Sequence, residues 1–211
     1  MEYLTEILTL LKQHYGVPKT ALRYDTPFQL LVATILSAQC TDKRVNIVTK
    51  ELFKELQTPK DLGNVSQERL EILVKSTGFY RNKAKNIIAT AKKIENDFNS
   101  KVPRTMDELL TLPGVARKTA NIVLSHGFGI TEGIAIDTHC IRLTNRFKWV
   151  KSKNAIIIER ELMKELPKRD WTTFTNLLIA HGRATCTARK PDCENCFINK
   201  VCPSAFKVSN I

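Results

Sequence analysis

No apolar run of about 18 residues occurs in the chain, so no segment is long enough to cross a bilayer as a helix. The sequence opens Met1-Glu2-Tyr3-Leu4-Thr5-Glu6, with acids where a secretory leader carries basic residues, so no signal peptide is expected. Glycine and proline are scarce, eight of each in 211 residues, and no repeat or low-complexity stretch stands out; collagen-like and disordered chains are excluded. Sustained alternation of apolar and polar residues is also missing, and Gly133-Ile134-Ala135-Ile136 is too brief to build a sheet. The other shortage is acid. Asp and Glu number 21 against 33 Lys and Arg, a net charge of +12, and that excess points to a polyanionic partner, nucleic acid ahead of an anionic membrane. Without leader or span, the chain is expected in the cytoplasm (with the nucleoid, if bacterial), where its six cysteines are not structural disulfides.

What remains is a helical sequence with enough apolar residues, 43%, for one domain or two small ones. Leu4, Ile7, Leu8 and Leu11 form one stripe; Ala84, Ile87, Ile88, Ala91 and Ile94 form another at steps of three and four. Phe174, Leu177, Leu178 and His181 mark a late helix. Glycines and prolines gather at the expected helix ends, as in Gly16-Val17-Pro18, Thr26-Pro27 and Leu112-Pro113-Gly114. The fold class is all-α.

The clearest change of composition is the tail from Cys186 to Cys202. Cys186, Cys193, Cys196 and Cys202 read C-x6-C-x2-C-x5-C. Four thiols so close in sequence can converge on one soft-metal centre, and the spacing leaves zinc and a [4Fe–4S] cluster both open. Free surface thiols are the plainer alternative and a chemical liability. Between the first two, Arg189 and Lys190 sit in a short loop that a metal centre could hold against phosphates. Cys40 and Cys140 stand in apolar surroundings and read as buried thiols without a role.

Residues 106–128 read as a helical hairpin. Met106 to Leu112 is a short helix, Pro113 disfavours helical geometry at Leu112, and Gly114 permits a tight turn. A second helix starts near Arg117, with Ala120, Val123 and Leu124 facing inward. The open N–H groups of the turn and of that helix start make an anion site blind to base sequence. Lys118 falls in the first turn; as a rule such a lysine is a solvated charge, and chemically it is an amine nucleophile. Asp137, 19 residues on, reads as the N-cap of a helix starting at Thr138.

Taken together, the string Leu-Pro-Gly-Val-Ala-Arg-Lys118-Thr-Ala, the segment Ile-Asp137-Thr-His139 and the four-cysteine tail resemble the endonuclease III family of DNA glycosylase/abasic-site lyases. Ser37-Ala38-Gln39-Cys40-Thr41-Asp42 and His181-Gly182-Arg183 are similar to that family as well, and the resemblance spans roughly residues 1–205. It implies two helical lobes, a six-helix lobe over 22–132 containing the hairpin, and a cluster lobe of 1–21 plus 133–211, with DNA lying between them. It moves the metal reading to one [4Fe–4S] cluster on the four cysteines. It also implies that Lys118 attacks C1′ of the damaged nucleoside, that Asp137 assists, and that the Schiff base then cuts the strand by β-elimination. Oxidised or ring-saturated pyrimidines and abasic sites in duplex DNA are the implied substrates, and a monomer is the default.

The implied DNA contacts are Leu112, Gly114, Ala116 and Arg117 of the hairpin, His139, and Arg189 and Lys190. The resemblance further implies that Gln39 and Phe79 fill or wedge the space of a base that has left the stack. Two positions depart from the family pattern: Ala116 stands where a second glycine is common, and Phe79 where leucine is common. Other classes remain in view. A monofunctional adenine glycosylase lacks the lysine at 118 and usually carries a further C-terminal domain, which is not expected here from the nine residues after Cys202. A non-catalytic damage sensor or a zinc module would use the hairpin and the tail for docking alone.

Overall fold

The computed structural model describes Met1 and residues 3–207. The expected cluster lobe extends to 211, and positions 208–211 lie outside the described residues. Among the described residues there is no strand. The α-helices are α1 (Leu4–Tyr15), α2 (Pro27–Leu36), α3 (Asp42–Glu55), α4 (Pro59–Asn64), α5 (Gln67–Val74), α6 (Tyr80–Asp97), α7 (Met106–Leu110), α8 (Arg117–Ile122), α9 (Thr138–Arg146), α10 (Ala155–Glu165) and α11 (Trp171–Ala184). The chain divides into two compact units, residues 20–132 and residues 1–19 with 133–211.

In the unit of residues 20–132, α2 is the axis. Phe28 through Leu36 are all buried, as befits a helix apolar on every side. The expected stripe of α6 faces inward: Ala84, Ile87, Ala91 and Ile94 are buried and Ile88 is half-buried. The unit has seven α-helices rather than six, because Pro59–Asn64 closes its own turn. Thr58 and Asp61 cap each other reciprocally there, which lets six residues stand as a helix. Side-chain oxygens of Thr26, Thr41, Thr58, Ser66 and Thr105 cap α2, α3, α4, α5 and α7. Only α6 and α8 in this unit start without a side-chain cap, at Phe79 and at Ala116.

The other unit joins α1 to α9, α10 and α11. Leu4, Ile7, Leu8 and Leu11 pack in one core with Phe147, Trp149, Phe174, Leu177 and Leu178. Burying each such side chain contributes about 1.5–3 kcal/mol. Residues 133–136 form no helix or strand, and the Ile134 N–H donates to Glu159 Oε1 at 3.2 Å. The close approach of α9 and α11 explains Gly182: a Cβ there would lie 2.6 Å from His139 Nδ1 and 2.8 Å from Arg142 Nη2. Of the two cysteines outside the tail, Cys140 is buried as expected, whereas Cys40 is only half-buried because it sits in the turn after α2.

Candidate functional site: helical hairpin and cysteine tail

The hairpin turn is built by sterics. Gly114 has φ +75°, and an added Cβ would meet Asn86 Cβ and Nδ2, each at 2.9 Å. Any other residue would clash with α6 and sit in the left-handed region. Thr90, one turn further along α6, donates its hydroxyl to Pro113 O at 2.7 Å. Leu112 is buried, with its side chain in the core of this unit. Gly114 and Ala116 are exposed, Arg117 is half-buried, and Lys118 is exposed in the first turn of α8. Ala116 has extended backbone and offers no side-chain acceptor, so the partial positive charge of the helix start is not met by a cap. Ala120, Val123 and Leu124 face the core as expected; past Ile122 the helix widens into a π-turn over Val123–Gly127.

Gln39 and Phe79 lie in the same unit and share a feature not evident beforehand. Both hold left-handed backbone, at φ +53° and φ +47°. For non-glycine residues that costs of order 1–3 kcal/mol each and collects at functional positions. Phe79 is 64% exposed, a large aromatic ring presented to solvent. It is also the uncapped start of α6.

In the other unit Asp137 caps α9, accepting the Cys140 N–H at Oδ1 over 2.8 Å, and is half-buried. His139, the second residue of α9, accepts from Arg142 Nη2 at Nδ1 over 3.0 Å and is part of the α9–α11 packing. The four tail cysteines line one cavity, with His181, Phe147, Arg146 and Ile198 among its walls. Burial pushes the Cys196 thiol up to about 11, with the charges of the other three adding to it, and pushes Cys202 up as well. Thiolates facing one another in a poorly solvated cavity repel, and a bound cationic centre relieves that repulsion. Among the described residues no three His, Cys, Asp or Glu side chains gather around a single-ion position. The four cysteines line the same cavity, and four thiolates are a donor set that an iron–sulfur cluster takes.

Sequence reasoning missed the residues that hold the tail in place. Arg146 Nη1 donates to Cys186 Sγ at 3.2 Å and Thr187 O at 2.7 Å, and its Nη2 to Ala188 O at 2.8 Å. Arg142 Nη2 donates to Gly182 O at 2.9 Å and Cys186 O at 3.0 Å. Thr187 Oγ1 closes the basic loop onto Lys190 O at 2.6 Å, leaving Arg189 and Lys190 exposed on a fixed loop. The only sequence signal was two arginines four apart, on one face of α9.

Comparison with known proteins agrees with this anatomy. Residues 32–168 match the HhH-GPD superfamily of base excision DNA repair proteins, and residues 186–202 match the iron–sulfur binding domain of endonuclease III. Endonuclease III of Synechocystis sp. is 53% identical over 95% of this chain and 92% of its own length. Endonuclease III of Escherichia coli is 41% identical over 96% of both. A solved non-covalent endonuclease III–DNA complex superposes with TM-score 0.93 at 40% identity, over 97% of this chain and 95% of that one. A trapped endonuclease III–DNA covalent intermediate superposes with TM-score 0.92 at 40% identity, over 97% and 96%. A helix-hairpin-helix fold with a cysteine-held cluster defines the class, and the chain belongs to the HhH-GPD superfamily of base excision DNA repair proteins, in its endonuclease III family. Its cofactor is one [4Fe–4S] cluster. Among the described residues no helix is long and apolar enough to cross a membrane.

Proposed function

We propose that Lys118 and Asp137 carry the DNA glycosylase and abasic-site lyase chemistry of this family in this chain. The observation that supports it most is Lys118 itself, an exposed amine in the first turn of a helix whose N-cap, Ala116, supplies no cap. Phosphate oxygens are natural acceptors for such a helix start, because the N–H groups and the dipole both favour an anion. The duplex backbone is then gripped beside the nucleophile, independently of sequence.

The amine of Lys118 attacks C1′ of the damaged nucleoside as the C1′–N bond breaks and the base departs. The carboxylate of Asp137 stabilises the cationic sugar, a role compatible with capping α9 through Oδ1. The sugar ring opens to a Schiff base between Lys118 and C1′. Loss of the C2′ proton then expels the 3′ phosphate, which cuts the strand on that side. The target base must first leave the stack, and Gln39 and Phe79, exposed on strained turns, occupy the space it vacates. The substrates are oxidised or ring-saturated pyrimidines and abasic sites in duplex DNA, acted on by a monomer; association with the nucleoid follows from the charge of the chain.

Cys186, Cys193, Cys196 and Cys202 hold the cluster. When bound, a [4Fe–4S] cluster supplies a covalent staple across the tail and a redox centre. Arg146 and Arg142 connect that staple to α9, and the loop it closes presents Arg189 and Lys190 toward the backbone phosphates.

The test is borohydride trapping on a duplex with one abasic site, wild type beside Lys118→Ala. A covalent protein–DNA band from wild type alone is expected. No band from wild type, with DNA binding intact, refutes the role given to Lys118.

A further inference from the structure

One buried charge in the unit of residues 20–132 plays no part in the chemistry above. Lys83, on the inner face of α6, is 5% exposed. Lysine is rarely buried so completely, and burial holds its pKa below the ordinary lysine value. Its ammonium donates to Leu36 O and to Thr77 O, each at 2.8 Å. Both partners are main-chain carbonyls at element ends. Leu36 ends α2, and Thr77 ends a 3-10 turn over Lys75–Thr77. Gln39 lies three residues past the first anchor and Phe79 two past the second. One ammonium thus ties together the roots of the two strained turns, backbone to backbone.

We propose that Lys83 is a positioning residue that sets the spacing of Gln39 and Phe79, so that both enter the opened duplex as a pair. The inference rests on reading those two residues as the ones that replace an everted base. Lys83 touches no substrate. It acts by holding two carbonyls that an apolar side chain would release, and an ångström of misplacement in such a pair is felt at the reacting centre.

The experiment compares wild type, Lys83→Met and Lys83→Arg in two assays on the cluster-loaded protein. The first is single-turnover excision of a ring-saturated pyrimidine from duplex DNA, with 2-aminopurine beside the lesion reporting unstacking. The second is borohydride trapping on a single-stranded abasic oligonucleotide, which needs no base eversion. Lys83→Met is expected to lower duplex excision and the unstacking signal by about tenfold to a hundredfold, and to leave single-stranded trapping unchanged. Lys83→Arg, which keeps a cationic donor, recovers part of the loss. An equal fall in both assays marks a structural lysine and overturns the proposal.

The double variant Gln39→Ala/Phe79→Ala separates the two layers of the reading. If it leaves unstacking intact, the assignment of that pair is wrong and the Lys83 proposal falls with it. If it impairs unstacking while Lys83→Met does not, the pair stands and Lys83 alone is refuted. Adding Lys83→Met to it is expected to cost nothing further, the non-additivity of residues acting as one unit. Should Lys83→Met not fold, Lys83→Gln and Lys83→Arg pose the same question through a displaced donor, and equal effects on both assays again overturn it.

Discussion

Replacing Gly114 by alanine is the sharpest test of how the hairpin is built. Two separate penalties act at this position. Alanine at φ +75° costs about 1 kcal/mol in backbone strain. The new methyl also lies 2.9 Å from Asn86 Cβ and Nδ2, an overpacking that adds about 1–2 kcal/mol once neighbours shift. The sum, about 2–3 kcal/mol, lowers the thermal midpoint by about 4–12 °C for a chain of this size. Gly129→Ala is the control, since φ there is +68° with nothing within 4 Å of the added Cβ. It bears the strain alone, about 1 kcal/mol. Asn86→Ala in the Gly114→Ala background restores only part of the loss, because the contact with Asn86 Cβ survives that change. Differential scanning calorimetry and DNA binding are measured on all four proteins. Equal midpoints for Gly114→Ala and Gly129→Ala would show that the packing of α6 against the turn contributes nothing, and the account of the hairpin given above would fail.

Other expectations follow from the site. Asp137→Asn keeps α9 capped, because asparagine caps as well as aspartate, and lowers base release by about a hundredfold or more through loss of the carboxylate; a variant with full single-turnover excision removes Asp137 from the mechanism. Replacing Arg189 and Lys190 by alanine weakens duplex binding and reduces the salt slope of log K by about 2, read by fluorescence anisotropy from low to high salt; an unchanged slope takes the loop off the interface. Burial holds His126 below the ordinary histidine pKa. A lowered pKa means that the unfolded chain takes up the proton first, so stability present above pH 6.5 is lost as pH falls. Thermal midpoints between pH 7.5 and 5 are expected to fall less steeply for His126→Gln than for wild type, and parallel curves would refute this.

The helices were legible because their signal is local. The stripes of α1 and α6 and the cap at Asp137 are statements about residues three or four apart, and the folded chain uses them as read. The hairpin turn was legible for the same reason, from proline and glycine side by side. What could not be read depends on partners far away in sequence. Gly182 is dictated by His139 and Arg142 on another helix, Lys83 by a carbonyl 47 residues distant, and Arg146 by a cysteine 40 residues on. The left-handed turns at Gln39 and Phe79 were invisible too, since that geometry usually goes with glycine or asparagine. The same line divides the candidate site: Lys118, Asp137 and the four tail cysteines stand out by residue type, whereas Arg142, Arg146 and Lys83 are ordinary residues that matter by where the fold puts them.

The pairing of α1 with α11 has a consequence for how the molecule is made. The apolar stripe of α1 ends by Leu11, and the helix it packs against begins only at Trp171. At 5–20 residues per second, ribosomal synthesis leaves that stripe unpaired for about 8–30 s. The unit of residues 20–132 emerges complete during this interval and can fold behind it. All four cluster cysteines leave the ribosome after α11, so iron is called for only once the two ends of the chain can meet.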